Sequence, residues 1–214
     1  MNQFIILAVA NGIPLDTLVL VLILPIIVTV IAFFRQVIGI KAFGIYTPAI
    51  ITFAFLATNQ IKYGITIFVT VIVVGTITRY LLKKARLLYL PRVAIMITIV
   101  GFSILFLLFI GGIYNRTGLA SVSIFPILIM ITLVEKFIAV QIEKGNRAAV
   151  ILSLETLLIS VIGYYIASWH FLISAILVYP WISLLTIPVN IFLGKWTGLR
   201  FSEYFRFRQI IKPK

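Results

Sequence analysis

The chain has 214 residues, of which 63% are hydrophobic and 11% are charged. A soluble globular domain is about 45–50% apolar, so this composition excludes an ordinary soluble domain. The net charge is +13, and the sequence contains no cysteine, which excludes disulfides and thiol chemistry. The apolar residues form runs of about 20, the length of a membrane-spanning helix. The sequence therefore predicts an all-α polytopic membrane protein.

Seven apolar spans follow one another along the chain. Residues 1–14 are too short to cross a membrane and end in the turn signal Asn11-Gly12-Ile13-Pro14, so we expect them to lie at the interface. Residues 15–194 form the predicted transmembrane domain, and residues 195–214 form a basic cytoplasmic amphipathic tail. The spans are about Leu15–Phe34, Phe43–Ala57, Tyr63–Leu82, Val93–Tyr114, Ser121–Ile142, Arg147–Ser168 and Phe171–Leu193.

The positions of lysine and arginine predict the orientation of the spans. Because cytoplasmic loops carry an excess of these residues, an N-out and C-in arrangement with seven spans is predicted. Six or eight spans would place the basic loops on opposing sides. With this arrangement, only Lys62 and Arg116 lie outside. The residues on the inner side are Arg35, Lys41, Arg79, Lys83, Lys84, Arg86, Arg92, Lys136, Lys144, Arg147, Lys195, Arg200, Arg206, Arg208, Lys212 and Lys214.

Two spans begin with a similar proline motif. Tyr46-Thr47-Pro48 opens the short second span, and Phe125-Pro126 opens the fifth. Pro48 should disfavour helical geometry at Thr47. Each span runs into a polar corner that contains a glycine, at residues 59–64 and 141–145. Spans two to four and five to seven can therefore be interpreted as inverted repeats, which many transporters share. The alternative is that any two membrane helices with a proline can be aligned in this way.

The corner between spans one and two contains the candidates for anion binding. Arg35, Gln36 and Lys41 flank this corner, and Thr47 and Pro48 follow it. Proline has no N–H, so it frees backbone groups close to two cations. This combination favours binding of an anionic substrate or headgroup. The alternative is ordinary anchoring of a basic loop at the inner face.

Among the charged residues within the predicted spans, three are candidates for a function: Glu135, Lys136 and Glu155. Glu155 is about two turns inside the sixth span, where a carboxylate is costly unless it is paired or hydrated. It is interpreted either as a substrate, proton or cation site or as a structural acid, which is paired with a Lys or Arg of a neighbouring helix or is neutral and hydrogen-bonded. Glu135 and Lys136 are adjacent, so they should point to different sides of the helix. Lys136 can extend to the headgroups, and Glu135 is expected to pair with a base such as Arg79.

The tail alternates aromatic and basic residues. It is interpreted as an anchor on anionic lipid or as a docking helix for a cytosolic partner, and nucleic acid is not an expected partner. The sequence shows no paired catalytic acids, no nucleophile–base set and no phosphate loop. We therefore expect no catalytic activity, no metal and no cofactor. The tail residues considered for docking are Trp196, Arg200, Glu203, Arg206 and Arg208.

Several landmarks, in the same order, resemble one family: the seven-transmembrane domain that is usually fused to an inactive transglutaminase. The resemblance covers about Gly12 to Arg208. In that family the transglutaminase-like domain precedes the seven spans on the periplasmic side. This sequence has no such domain, so we expect it in a separate chain or outside this stretch. The landmarks are Arg35-Gln36-Val37-Ile38-Gly39, Phe43-Gly44-Ile45-Tyr46-Thr47-Pro48, Leu88-Tyr89-Leu90-Pro91-Arg92, Val134-Glu135-Lys136-Phe137 and Gly194-Lys195-Trp196-Thr197-Gly198-Leu199-Arg200.

The resemblance implies a bacterial inner-membrane subunit that works beside a cytosolic ATP-grasp, glutamate-ligase-like enzyme and a periplasmic transglutaminase-like protein. More distantly, the proline-containing segments resemble the membrane subunit of poly-gamma-glutamate capsule synthases. The expected function is therefore a non-catalytic subunit of a glutamyl-peptide or polyglutamate synthesis and export system that passes an anionic product. The alternatives are an autonomous proton-coupled secondary transporter that uses Glu155, and a passive membrane scaffold.

Overall fold

The computed structural model describes residues 2–58, 60–82, 88–113 and 123–195, and these residues form helices, turns and no strand. The predicted all-α class is confirmed for this part of the chain. The predicted tail residues Trp196, Arg200, Glu203, Arg206 and Arg208 lie outside the described residues. The helices are α1 (Gln3–Ala10), α2 (Leu15–Phe33), a π-helical turn (Phe34–Ile38), α3 (Tyr46–Ala57), α4 (Ile61–Leu82), α5 (Tyr89–Ile113), α6 (Ile124–Ala167), α7 (His170–Val178), a 3₁₀ helix (Pro180–Leu185) and α8 (Thr186–Gly194).

Within these ranges, four helices are long and apolar enough to cross a membrane. They are α2 with its π-helical turn, α4, α5 and α6. A fifth candidate is the segment from His170 to Gly194, which is bent by 104° between α7 and the 3₁₀ helix. The apolar helix α3 is shorter, with 12 residues. Apolar helices of this length place the chain in the membrane as a multi-pass protein.

The predicted fifth and sixth spans correspond to two helical arms of a 44-residue segment, α6, which is interrupted by a kink at Gly145. The corner predicted over residues 141–145 is therefore wrong in extent, because the helix continues as far as Lys144. Gly145 has φ 83° and ψ 171°, a conformation that is essentially restricted to glycine. Gln, Glu and Lys favour helix, so the residues before the glycine stay helical. We call residues 124–144 the first arm of α6 and residues 146–167 its second arm.

Both proline motifs lie inside the first turn of a helix. Helix α3 begins at Tyr46 and α6 begins at Ile124, so Pro48 and Pro126 are each the third helical residue. The expectation of non-helical geometry at Thr47 is therefore wrong. A proline in the first turn loses no hydrogen bond, because the first N–H groups of a helix have no partner within it. The irregular backbone lies earlier, between residues 39 and 45.

The chain divides into two compact units. The first unit consists of Met1–Lys41 and Tyr165–Lys214, and the second unit consists of Ala42–Tyr164. Neither unit corresponds to one of the two predicted repeats, because the second unit holds α3, α4, α5 and nearly all of α6. The inverted repeat stays a prediction.

In the first unit, side-chain hydrogen bonds connect α2 to the 3₁₀ helix and to α8. The Ser183 hydroxyl donates to the main-chain carbonyl of Leu22, at 2.8 Å. The side-chain amide of Asn190 donates to the Thr29 hydroxyl, also at 2.8 Å. These bonds lie on either side of Pro25 in α2. They connect two segments that are both irregular, since α2 contains a proline and the chain is bent after α7.

In the second unit, α3, α4, α5 and both arms of α6 contribute to one apolar core. Phe55, Phe68, Met96 and Phe137 are fully buried in it. Small residues permit close helix contacts, as membrane helices generally require. Gly64 of α4, for example, faces the ring of Phe55. This core positions α3 against the second arm of α6, where the candidate site lies.

Candidate functional site

The turn before α3 is held on the second arm of α6 by two hydrogen bonds from its main chain. The N–H of Ala42 donates to Oε2 of Glu155 at 3.1 Å, and the N–H of Phe43 donates to Oγ1 of Thr156 at 3.0 Å. Ala42 is buried and has φ 41°, in the left-handed region that is unfavourable for a residue with a side chain. Glu155 therefore has a structural use, since it satisfies a main-chain donor of a strained turn.

Pro48 takes part in this packing through its carbonyl group. That carbonyl accepts hydrogen bonds from the Thr52 hydroxyl at 2.8 Å and from the Ser160 hydroxyl at 3.1 Å. The Thr52 hydroxyl also lies 3.2 Å from the Ser160 carbonyl. The Pro48 carbonyl is therefore occupied by protein hydroxyls, and as an acceptor it is not a group that binds an anion. We call the following residues the corner contact: Ala42, Phe43, Pro48, Thr52, Glu155, Thr156, Ser160 and Gly163.

Gly163 completes the corner contact from the second arm of α6. A Cβ atom at this position would lie 2.6 Å from the Thr52 hydroxyl oxygen and 3.1 Å from its methyl carbon. Such distances are too short for non-bonded atoms, so the absence of a side chain is what lets α3 and α6 approach. The contact therefore depends on a glycine and hydroxyl side chains, as close packing of membrane helices usually does.

A groove of about 150 Å³ opens between α3 and the first arm of α6. It brings together Thr47, Glu135 and Lys136, which the sequence singled out separately. Glu135 and Lys136, which were expected on different sides of the helix, both line this groove. Successive residues are only about 100° apart on a helix, and both side chains are exposed and long enough to reach it. The groove is lined by Tyr46, Thr47, Ile50, Ile51, Ile129, Thr132, Leu133, Glu135 and Lys136.

Arg79, the expected partner of Glu135, contacts a different residue. Its Nη1 donates to Oδ1 of Asn146 at 2.8 Å. Asn146 is the first residue after the kink at Gly145, so the kink brings its side chain to the end of α4. Among the described residues, no ion pair joins Glu135 to Arg79. Glu135 instead lines the groove.

The other candidates for anion binding lie in different places. Arg35 and Gln36 belong to the π-helical turn, which ends at Gly39 with φ 91°. Such turns occur frequently at functional sites. Lys41 is exposed and is the last residue of this part of the first unit. Thr47 and Pro48 belong to the second unit. The five residues predicted for anion binding are therefore divided between the two units.

Sequence reasoning missed most of the corner contact. The available signal was a row of small and hydroxyl residues on one face of the sixth span, with spacings of three and four. All four members of this row are buried. Their pattern predicts close packing against another helix, although it does not identify α3 as that helix. The row consists of Ser153, Thr156, Ser160 and Gly163.

The groove is chemically suited to binding. Its polar groups are one ammonium, one carboxylate and hydroxyls of threonine and tyrosine, set in an apolar wall. Within the described ranges, no three His, Asp or Glu residues are grouped so that they could hold a metal ion. The groove therefore offers hydrogen-bond donors, acceptors and one charge of each sign to a polar chain.

A family model described as seven transmembrane helices usually fused to an inactive transglutaminase matches residues 7–211. The chain belongs to this family. The match extends from α1 through every described helix, and it confirms the resemblance drawn from the sequence landmarks. The more distant likeness of this family member to poly-gamma-glutamate synthase subunits stays a prediction. No curated protein and no solved structure matches the chain.

Proposed function

We propose that the chain is the seven-span, N-out and C-in membrane subunit of a bacterial inner-membrane system that makes and exports a glutamyl peptide or polyglutamate. A cytosolic ATP-grasp ligase docks on its basic inner face, and an anionic product passes through the membrane domain. A transglutaminase-like protein acts on the periplasmic side, and the chain itself is not catalytic. The family description supports this last partner, because members are usually fused to an inactive transglutaminase.

The helix breaks support a count of seven spans. The kink at Gly145 divides α6 into two arms, each of about 20 residues, which is the length of one span. With these arms counted separately, α2, α3, α4, α5 and the bent segment after His170 make up the seven segments within the described ranges. The equivalent positions of Pro48 and Pro126, each the third residue of its helix, support the idea of a repeated unit.

The charge distribution carries the functional proposal. Seven crossings place all but two of the eighteen basic residues on one side of the membrane. A surface with such an excess of positive charge attracts anionic substrates and acidic partners. The groove adds a fixed ammonium, that of Lys136, beside hydrogen-bonding hydroxyls. Proton coupling through Glu155 has less support, because the carboxylate already accepts the main-chain N–H of Ala42.

The test is to co-purify the full chain with a candidate ATP-grasp ligase and to measure product export from cells. Replacing Arg35 and Lys41 together by Gln should weaken ligase binding by about tenfold or more, because each cation near the surface contributes about 1 kcal/mol. Export should fall in parallel. Lys62→Gln is the matched control, since Lys62 is basic but predicted on the opposite side. If both the complex and the export persist unchanged in the double variant, the proposed role of this corner is wrong.

A further inference from the structure

Gln141, on the first arm of α6, carries a buried side-chain amide that no group in the described part of the chain satisfies. The residue is 1% exposed, and neither Oε1 nor Nε2 has a hydrogen-bond partner among the described residues. Buried amides are nearly always hydrogen-bonded, so such an amide points to a bound group at that place. The proposed function does not use this residue.

The neighbours of Gln141 follow from two contacts between α4 and α6. Phe137 lies one turn before Gln141 and packs near Gly75 of α4. A Cβ atom built at Gly75 would lie 3.7 Å from the Phe137 ring, an ordinary contact distance. Just after the kink, Asn146 accepts the hydrogen bond of Arg79, which is one turn beyond Gly75. The two helices therefore run side by side, and Gln141 lies at the level of Arg79.

A second arginine lies at the same end of the second unit. Arg92, in the first turn of α5, is close enough to Arg79 for their positive charges to repel each other. The hydrogen-bond partner of Arg79 is the neutral side chain of Asn146. The oxygen of Asn146 is used in that bond, and its amide nitrogen is a further donor. The hydrogen bond from Arg79 to Asn146, the nearby charge of Arg92 and the level of Gln141 on α6 thus place two guanidinium groups and two amides at the same end of the second unit.

We propose that Arg79, Arg92, Gln141 and Asn146 bind a phosphate oxyanion. Guanidinium groups present paired N–H donors that match phosphate oxygens, and amide N–H groups add neutral donors. An anion between the two arginines relieves their repulsion and accepts a hydrogen bond from Nε2 of Gln141. The first turn of a helix, where Arg92 lies, also favours an anion.

Two sources can supply this phosphate. Basic pockets between membrane helices at the cytoplasmic side bind anionic lipid headgroups, and the predicted topology places these helix ends there. A soluble phosphate has the same oxygens. The proposal does not depend on the proposed function, because neither Arg35, Lys41 nor the groove takes part in it.

The experiment measures the thermal stability of the purified full chain in detergent by tryptophan fluorescence. The chain is titrated separately with phosphatidylglycerol, phosphatidylcholine and inorganic phosphate, with sodium chloride added to equalise ionic strength. We expect the unfolding midpoint to rise with phosphatidylglycerol or with phosphate, and not with phosphatidylcholine. A rise with phosphate indicates a soluble anion, whereas a rise with phosphatidylglycerol alone indicates a lipid headgroup.

Three variants make the test specific. Arg79→Gln and Gln141→Leu should each weaken the apparent affinity for the anion about tenfold or more, as expected for a lost charged or buried donor. Lys62→Gln, which removes a positive charge from the other end of the same helix, should respond as the unaltered chain does. Gln141→Leu approximately preserves the side-chain volume and removes the amide. If Arg79→Gln does not fold, the Gln141→Leu variant is sufficient to test the proposal. A full response to the anion in Gln141→Leu, or no response in the unaltered chain, overturns the proposal.

Discussion

Glu155 accepts the main-chain N–H of Ala42 in a turn where the chain has left one helix and not yet begun the next. A charged acceptor forms a stronger hydrogen bond than a neutral one. If it were removed, a partly buried donor would lose its partner, at a cost of about 1–3 kcal/mol. The strained turn at Ala42 is thus a sufficient physical reason for a carboxylate inside a predicted membrane span.

This role predicts a difference between two substitutions at one position. Glu155→Ala should lower the free energy of unfolding by about 1–3 kcal/mol, because the N–H of Ala42 loses its acceptor. Glu155→Gln should lower it less, since the amide oxygen still accepts. Denaturation of the purified chain, followed by circular dichroism, measures both. Glu143→Ala is the control, since Glu143 is exposed on the same helix and should change stability by less than about 0.5 kcal/mol.

A different outcome would favour proton coupling. If Glu155→Gln keeps full stability but abolishes substrate uptake into liposomes containing only this chain, the carboxylate has a functional role beyond the turn. Equal losses of stability for Ala and Gln would also contradict the hydrogen-bond argument.

Gly163 and Thr52 should be energetically coupled. Gly163→Ala places a methyl group 2.6 Å from the Thr52 hydroxyl oxygen, so it should be destabilising. Thr52→Ala removes that oxygen, and the double variant should be less destabilised than the sum of the single changes by about 1 kcal/mol or more. The free energies of unfolding of the four proteins give this coupling directly.

Gly75→Ala is the matched control for that cycle. Gly75 is also buried between helices, but its Cβ would lie 3.7 Å from Phe137, an ordinary contact distance. It should be tolerated, with no coupling to Thr52. Additive effects of Gly163→Ala and Thr52→Ala would show that the two helices are not in the contact described.

At the level of secondary-structure elements, the kink of α6 depends on one residue. Gly145 has φ 83° and ψ 171°, which residues with a side chain adopt only with strain of about 1–3 kcal/mol. Apart from the adjoining chain, no atom of the described residues lies within 4 Å of a Cβ built there, so the cost of a substitution is conformational rather than steric. The junction between the two arms is therefore set by backbone preference.

The backbone geometry of Gly145 leads to a testable prediction. Gly145→Ala should destabilise the chain by about 1–3 kcal/mol. Gly101→Ala, in the middle of α5, also has free space around it but has helical geometry, so it should be neutral or stabilising by up to about 1 kcal/mol. Thermal unfolding midpoints of the two variants measure the difference. Equal midpoints would mean that α6 is not kinked at Gly145.

The sequence predicts elements well and contacts poorly, for a physical reason. Apolar runs of span length located the main helices, because hydrophobicity and helix length are local properties. The bond from Ala42 to Glu155 joins residues 113 positions apart, and no periodicity encodes it. The common groove of Glu135 and Lys136 likewise depends on the position of α3. Polarity marked residues 141–145 as a loop, but only Gly145 has a backbone preference strong enough to interrupt the helix.

For the whole molecule, orientation is constrained by a contact as well as by charge. A straight 44-residue helix would be about 66 Å long, whereas the hydrocarbon core is about 30 Å thick. Helix α6 therefore has to turn, and the only non-helical residue in it is Gly145. The hydrogen bond from Arg79 to Asn146 places the end of α4 at the level of this kink. Both must then lie at the same face of the membrane, whichever face that is.

Cysteine labelling tests this arrangement, since the 214 residues contain no cysteine and the unaltered chain is the blank. Lys144→Cys, beside the kink, and Leu82→Cys, at the end of α4, should react together with a membrane-impermeant thiol reagent only after cells are permeabilised. Lys62→Cys, at the opposite end of α4, should react in intact cells. Opposite labelling of Leu82→Cys and Lys144→Cys would contradict the contact between Arg79 and Asn146. Labelling of all three in intact cells would contradict a membrane crossing by α4, and an inverted pattern would reverse the charge-based orientation while keeping the fold.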